Sequence, residues 1–139
     1  MKDKVLELLK VNNHCVISSV NSAGTPESAL VGFSEDDDLV IVIGTQKDSR
    51  KYSNISSNPQ VSIVVADEEK NLEVQYEGEA RIVAAEELGD RLNIHFEKLP
   101  TAGRRLSDPN QAWVKVEPHW IRFVDASTSP ISYEEMRQF

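Results

Sequence analysis

Six runs rich in β-branched and aromatic residues recur along this chain: "HCVISSV", "ESALVGFS", "LVIVIG", "QVSIVVA", "LEVQYEGEARIV" and "AWVKVEPHWIRFVD". Their number and closeness constrain the fold more than any other feature. "NSAGTP" separates the first two, "EDDD" the second and third, and "DEEKN" the fourth and fifth. Connections this short join antiparallel neighbours, because a parallel crossover needs about a dozen residues or more. One segment alone alternates strand, helix and strand, too little for a parallel sheet. The expectation is a mainly β fold: a closed or partly closed antiparallel barrel of six strands with flanking helices.

Within that frame, "LVIVIG" is near-continuously apolar, as in a strand buried on both faces. Gly78 marks a bulge or bend, and Pro118 breaks the last run into one strand or a pair. Val5, Leu8 and Leu9 form a helical stripe that stops near Asn12-Asn13. Leu88, Leu92 and Phe96 are spaced for a second helix, which Gly89 weakens. "PTAGRRLSDPNQ" reads as a loop, and the tail "ASTSPISYEEMRQF" as a short helix or an arm. With 139 residues and no dividing linker, the chain is expected to be one domain, 1–139.

The formal net charge of -8 argues against general affinity for nucleic acid or an anionic membrane, so any anion site must be local. No run approaches the roughly 20 apolar residues that span a bilayer, and the N-terminus lacks the apolar core of a signal peptide. Cys15 is the single cysteine, which excludes an internal disulfide and fits a reducing cytoplasm. It is expected to be buried as a small hydrophobe.

One local cluster runs against the acidic balance. The segment after "LVIVIG" is "TQKDSRKYSNISSNP", a short helix from about Ser49 to Ser57 that ends at Asn58-Pro59. Ser49 suits the N-cap. Arg50 and Lys51 then fall in the first turn, with Lys47 just before it. Positive charge there opposes the helix dipole by a few tenths of a kcal/mol or more per base. Two readings stand. The bases are solvated surface charges partly neutralised by Asp48, or they serve a phosphate, which free first-turn N–H groups, Thr45, Ser49 and the cations together suit.

In its order of motifs, the chain resembles the pyridoxamine 5'-phosphate oxidase-like superfamily of FMN-binding split barrels. "GTQKDSRKYSNISSNPQVSIVV" is similar to that family's flavin-phosphate segment through Thr45, Ser49, Arg50, Lys51, Asn58 and Pro59. "SVNSAGTPESALVGF" resembles its first hairpin, and "VQYEGEARIV" its Gly-x-Ala strand, here Gly78 and Ala80. The resemblance implies a six-stranded antiparallel FMN-binding split barrel, dimeric, with flavin between the subunits. It puts Thr45, Ser49, Arg50 and Lys51 on the flavin phosphate, with Lys47 nearby. It lays the backbone of Leu30, Val31, Ile43 and Gly44 along the isoalloxazine. Glu73 or Gln75, and Trp120 ahead of Trp113, would reach the flavin from the partner subunit.

The second strand, "ESALVGF", lacks the Arg and Lys that true pyridoxamine phosphate oxidases carry there, and "PHWIRF" does not reproduce their substrate-gripping Arg and His. The chain stands closer to the short general-stress-protein branch. The function this implies is an FMN-dependent oxidoreductase of undefined small-molecule substrate, acting as a homodimer. The alternatives are a non-catalytic module for flavin, deazaflavin or haem, and a structural barrel with an empty cleft. No side chain stands out as a catalytic acid or base. His14, His95 and His119 lack metal-ligand spacing and read as ordinary structural or surface histidines, and Glu35 to Asp38 as a solvated hairpin tip.

Overall fold

A computed structural model describes all residues, 1–139. Helix α1 (Lys2–Lys10) leads into strands β1 (His14–Val20), β2 (Pro26–Glu35) and β3 (Ile41–Gln46). Helix α2 (Arg50–Ser57) precedes β4 (Gln60–Asp67) and β5 (Leu72–Val83). Helices α3 (Ala85–Leu88) and α4 (Asp90–Lys98) and a 3-10 turn (Pro100–Arg105) lead to β6 (Gln111–Asp125) and β7 (Ser132–Met136).

All pairings are antiparallel, in the order β3-β2-β1-β4-β5-β6-β7, and a further β3–β6 pairing closes six of the strands into a barrel. The expected six-stranded antiparallel barrel is therefore present. The seventh strand is an addition: the tail forms neither a helix nor a free arm, but pairs Ser132–Met136 along Ile121–Asp125.

β6 can serve three neighbours because it is long and offset. Gln111–Val116 pairs with β3, Trp113–Asp125 with β5, and Ile121–Asp125 with β7. It is thus one strand, in which Pro118 sits beside the register shift between Glu77 and Gly78. A Cβ on Gly78 would lie 2.4 Å from the Glu117 carbonyl oxygen, so no side chain fits where the two strands close on each other. The interrupted helix is two helices, α3 and α4, parted at Gly89, whose φ of 55° favours glycine.

Inside the barrel, Cys15, Ile17, Phe33, Ile41, Ile43, Ile63, Val74, Tyr76 and Val114 belong to one buried cluster, and Val5, Leu8 and Leu9 of α1 join it. The Tyr76 hydroxyl lies 2.8 Å from the Leu39 carbonyl oxygen and 3.1 Å from that of Val116, giving a buried phenol its partners. β3 is covered on both faces, as its apolar run implied. Ile41 and Ile43 point into the barrel, while Val42 packs outward with Val83, Leu88 and Trp113.

The hairpin tip is solvated as expected at Asp37 and Asp38, but not at Glu35 and Asp36. Glu35 is buried and pairs with Lys98 at 2.5 Å, and Asp36 pairs with Arg91 at 2.6 Å. Lys98 also donates to the Leu9 carbonyl and lies 3.8 Å from the Phe33 ring centroid. These acids anchor α4 across the β2–β3 hairpin, a pairing that sequence separation conceals.

Candidate functional site

The ladder between β2 and β3 covers just three residue pairs, ending at Phe33–Ile43. Beyond it the strands part, and a cavity of about 580 Å³ opens in the gap. Leu30, Val31 and Gly32 line one side; Gly44, Thr45 and Gln46 line the other. Ser49 and Lys51 come from the start of α2, and His95 and Trp113 from the layer outside β3. The size lies within the roughly 300–1,000 Å³ usual for small-molecule sites.

Local structure explains the α2 end. Ser49 is the N-cap, accepting from the Tyr52 backbone N–H, and its hydroxyl lies 2.8 Å from that of Thr45. The first turn contains no acidic residue. Asn54 seats the helix on the β1–β2 hairpin, donating to Ser19 at 3.0 Å and to Glu27 at 2.9 Å. That bond, followed by the charge of Arg50, holds the Glu27 carboxyl below its usual range.

The three bases take different positions. Lys51 lines the cavity and is half-buried, and burial, with Arg50 as the second cause, lowers its ammonium pKa. It pairs with no carboxylate in the chain. Arg50 instead turns to Glu27 at 3.2 Å and is mostly exposed. Lys47 is exposed and does not line the cavity. Asp48 meets Asn110 at 3.4 Å and neutralises none of them.

This donor set fits a phosphorylated planar cofactor. An uncompensated, partly desolvated cation is costly unless an anion joins it, and two hydroxyls and helix N–H groups converge beside it. Apolar Leu30 and Val31 flank the remaining space. A Cβ on Gly44 would come within 2.5 Å of the Gln111 side chain and 3.2 Å of Trp113, so this side of the cavity stays bare backbone. Ile43, expected along the same wall, does not line the cavity, its side chain being fully buried in the core.

Glu73, Gln75 and Trp120 do not join this cavity within one chain. Gln75 and Trp120 line a separate groove of about 200 Å³ with Val16, Val64 and others. Gln75 donates to Glu73, and Trp120 Nε1–H to Glu135.

Sequence reasoning missed several cavity residues. The supposed loop after α4 contains the 3-10 turn that brings Thr101, Arg104 and Arg105 to the rim. Gln111 and Gln46 hydrogen-bond to each other at 2.7 Å in the wall. His14 and His95, remote in sequence, line the same space. His95 is buried, bonds Ser34 through Nδ1 at 2.7 Å, and meets Trp113 edge-on at 5.5 Å. Burial, with Lys98 as the second cause, pushes its pKa down to about 4. Cys15 is buried as expected, and burial raises its thiol pKa to about 12. No helix is long and apolar enough to cross a membrane.

Comparison with known proteins agrees with this architecture. The chain is 30% identical to General stress protein 26 of Bacillus subtilis (strain 168), over 96% of each sequence. A pyridoxamine 5'-phosphate oxidase-related, FMN binding protein from Nostoc punctiforme superposes with a TM-score of 0.74 at 12% identity, covering 96% of this chain and 92% of that one. A heme binding protein from Mycobacterium smegmatis gives 0.79 at 13% identity, covering 96% of this chain and 57% of that one. At such identities these two structures speak for the fold alone. The profile of the Pyridoxamine 5'-phosphate oxidase family matches residues 1–125, and the chain belongs to that family.

Proposed function

We propose that this protein is a cytoplasmic FMN-binding flavoprotein, a flavin-dependent oxidoreductase that works as a homodimer. The observation that carries this reading is Lys51: a half-buried ammonium without a carboxylate, beside Ser49 and Thr45, at the end of a cavity of cofactor size. Lys51, the two hydroxyls and the first-turn N–H groups would hold the phosphate. Arg50 would join them by exchanging Glu27 for the phosphate. Leu30 and Val31 and the backbone of Gly44 would bound the ring.

Bound FMN supplies electron transfer through its ring; the chain positions it and shields it from water. Exposed apolar side chains beside the cavity support a second copy. Leu30 is 71% exposed and Val16 36%, while Gln75 and Trp120 lie on the groove beside Val16. A partner seated there would bring Glu73, Gln75 and Trp120 toward the flavin.

Fluorescence titration of the purified protein with FMN tests the reading. Saturable quenching with one site per chain, followed by NADH- or NADPH-dependent bleaching at a catalytic rate, is expected. Absence of binding would sink the flavin assignment. Binding without reduction would favour the non-catalytic module, and haem in place of flavin would show at once in the absorbance spectrum.

A further inference from the structure

The strongest feature left unused is the Ser34–His95 pair behind the cavity. Both residues are almost fully buried, at 1% and 2% exposure. The Ser34 hydroxyl has one partner in the whole chain, His95 Nδ1 at 2.7 Å. If Ser34 accepted from a protonated Nδ1, its own O–H would be left buried without an acceptor, an arrangement that folded proteins avoid. Ser34 therefore donates, Nδ1 is the bare nitrogen, and the ring proton sits on Nε2.

Nε2 has no partner in the protein, yet no buried side-chain polar atom lacks one, so Nε2 must reach open space. The space His95 lines is the 580 Å³ cavity. The ring is also fixed in orientation: Trp113 meets it at 5.5 Å and 82°, and Phe96 at 6.1 Å and 67°. One turn on, Lys98 is tied to Glu35 and the Leu9 carbonyl, which pins α4.

We propose that His95, held by Ser34 as the neutral Nε2–H tautomer, donates a hydrogen bond to an acceptor atom of the molecule bound in the cavity. That acceptor is a carbonyl or carboxylate oxygen or an unprotonated ring nitrogen. The cavity already has its cations, Lys51, Arg104 and Arg105, along its walls. A neutral donor adds direction and selectivity without further charge. Ser34 is the positioning residue and His95 the contact. The inference rests on the cavity being the cofactor and substrate site.

Nitrogen-15 histidine spectroscopy on the full chain tests it. At neutral pH, His95 is expected to show a protonated Nε2 and a bare Nδ1; the opposite tautomer overturns the proposal. FMN is then added, followed by pyridoxal 5'-phosphate as a second acceptor-bearing probe. A shift of the His95 Nε2–H signal at the first addition assigns the acceptor to the flavin, and at the second to the carbonyl-bearing probe; either supports the proposal. No response to either probe overturns it, whether or not FMN binds. FMN binding is read separately from flavin quenching, so a failed cofactor assignment is seen as such.

Variants add an independent reading. His95→Phe should weaken the responding probe about tenfold, whereas His95→Gln, which keeps an N–H donor, should retain most of the affinity. Ser34→Ala should produce a mixture of tautomers. Equal affinities for the wild-type, Phe and Gln proteins, all folded by circular dichroism, would count against the contact.

Discussion

The Thr45 hydroxyl lies 2.8 Å from the Ser49 hydroxyl, and this contact ties the end of β3 to the first turn of α2. It sets the helix terminus against the strand edge where β2 has already moved away. Ser49→Ala removes both this tie and the N-cap. The expected cost is about 1 kcal/mol of stability, read from the urea midpoint, together with weaker FMN binding. Unchanged stability would mean that the cap is not used in solution.

Lys51 should behave oppositely in stability and in binding. Its charge is half-buried without a partner, so Lys51→Met is expected to leave the melting temperature unchanged or raise it. The same change should weaken FMN binding by roughly 1.5–3 kcal/mol, about 10- to 150-fold. Arg50→Ala should cost less, because Arg50 must first leave Glu27. Calorimetric titration at low and high salt compares them.

Glu35 and Lys98 form a buried pair, with side chains 5% and 11% exposed. Glu35→Gln leaves Lys98 buried without its counter-charge, and about 3–5 kcal/mol of stability should be lost. Replacing both with apolar residues, Glu35→Leu and Lys98→Met, should recover much of it. A denaturation double-mutant cycle measures the coupling.

His95 predicts an acid limb in stability. Its folded pKa lies near 4, below the ordinary value of 6.5. Below 6.5 the unfolded chain therefore takes up a proton that the folded ring resists. Stability is full above that pH and is lost as pH falls from 6.5 toward 4, by at most about 3 kcal/mol. His95→Gln should lack this component. Unfolding free energies between pH 7 and 4 decide it.

Gly78→Ala would drive a Cβ to within 2.4 Å of the Glu117 carbonyl oxygen. Because the neighbour is backbone, β6 must move at its bend, and a loss of about 1–3 kcal/mol is expected. The thermal midpoint reads it.

Much of the barrel was legible in sequence. Strands β1 and β5 coincide with their apolar runs because a pleated strand half-buried in a core imposes a local, two-residue alternation. β3 was legible as doubly covered because an unbroken apolar run has no solvent face to show. The capped start of α2 was readable too, since a cap is made by neighbours within three residues.

Contacts between distant segments were not. Nothing local in "EDDD" reveals that Glu35 would meet Lys98, 63 positions away, or that Ser34 would fix His95. Arg50 and Lys51 are adjacent and equally charged, yet one faces a carboxylate and the other a cavity, because helical geometry points successive side chains in different directions. The chain's local chemistry determined which strands, turn and cap could form. The seating of α2 on the β1–β2 hairpin, beside Glu27, decided which of its bases would be left without a partner, because burial and charge pairing depend on what the fold brings alongside.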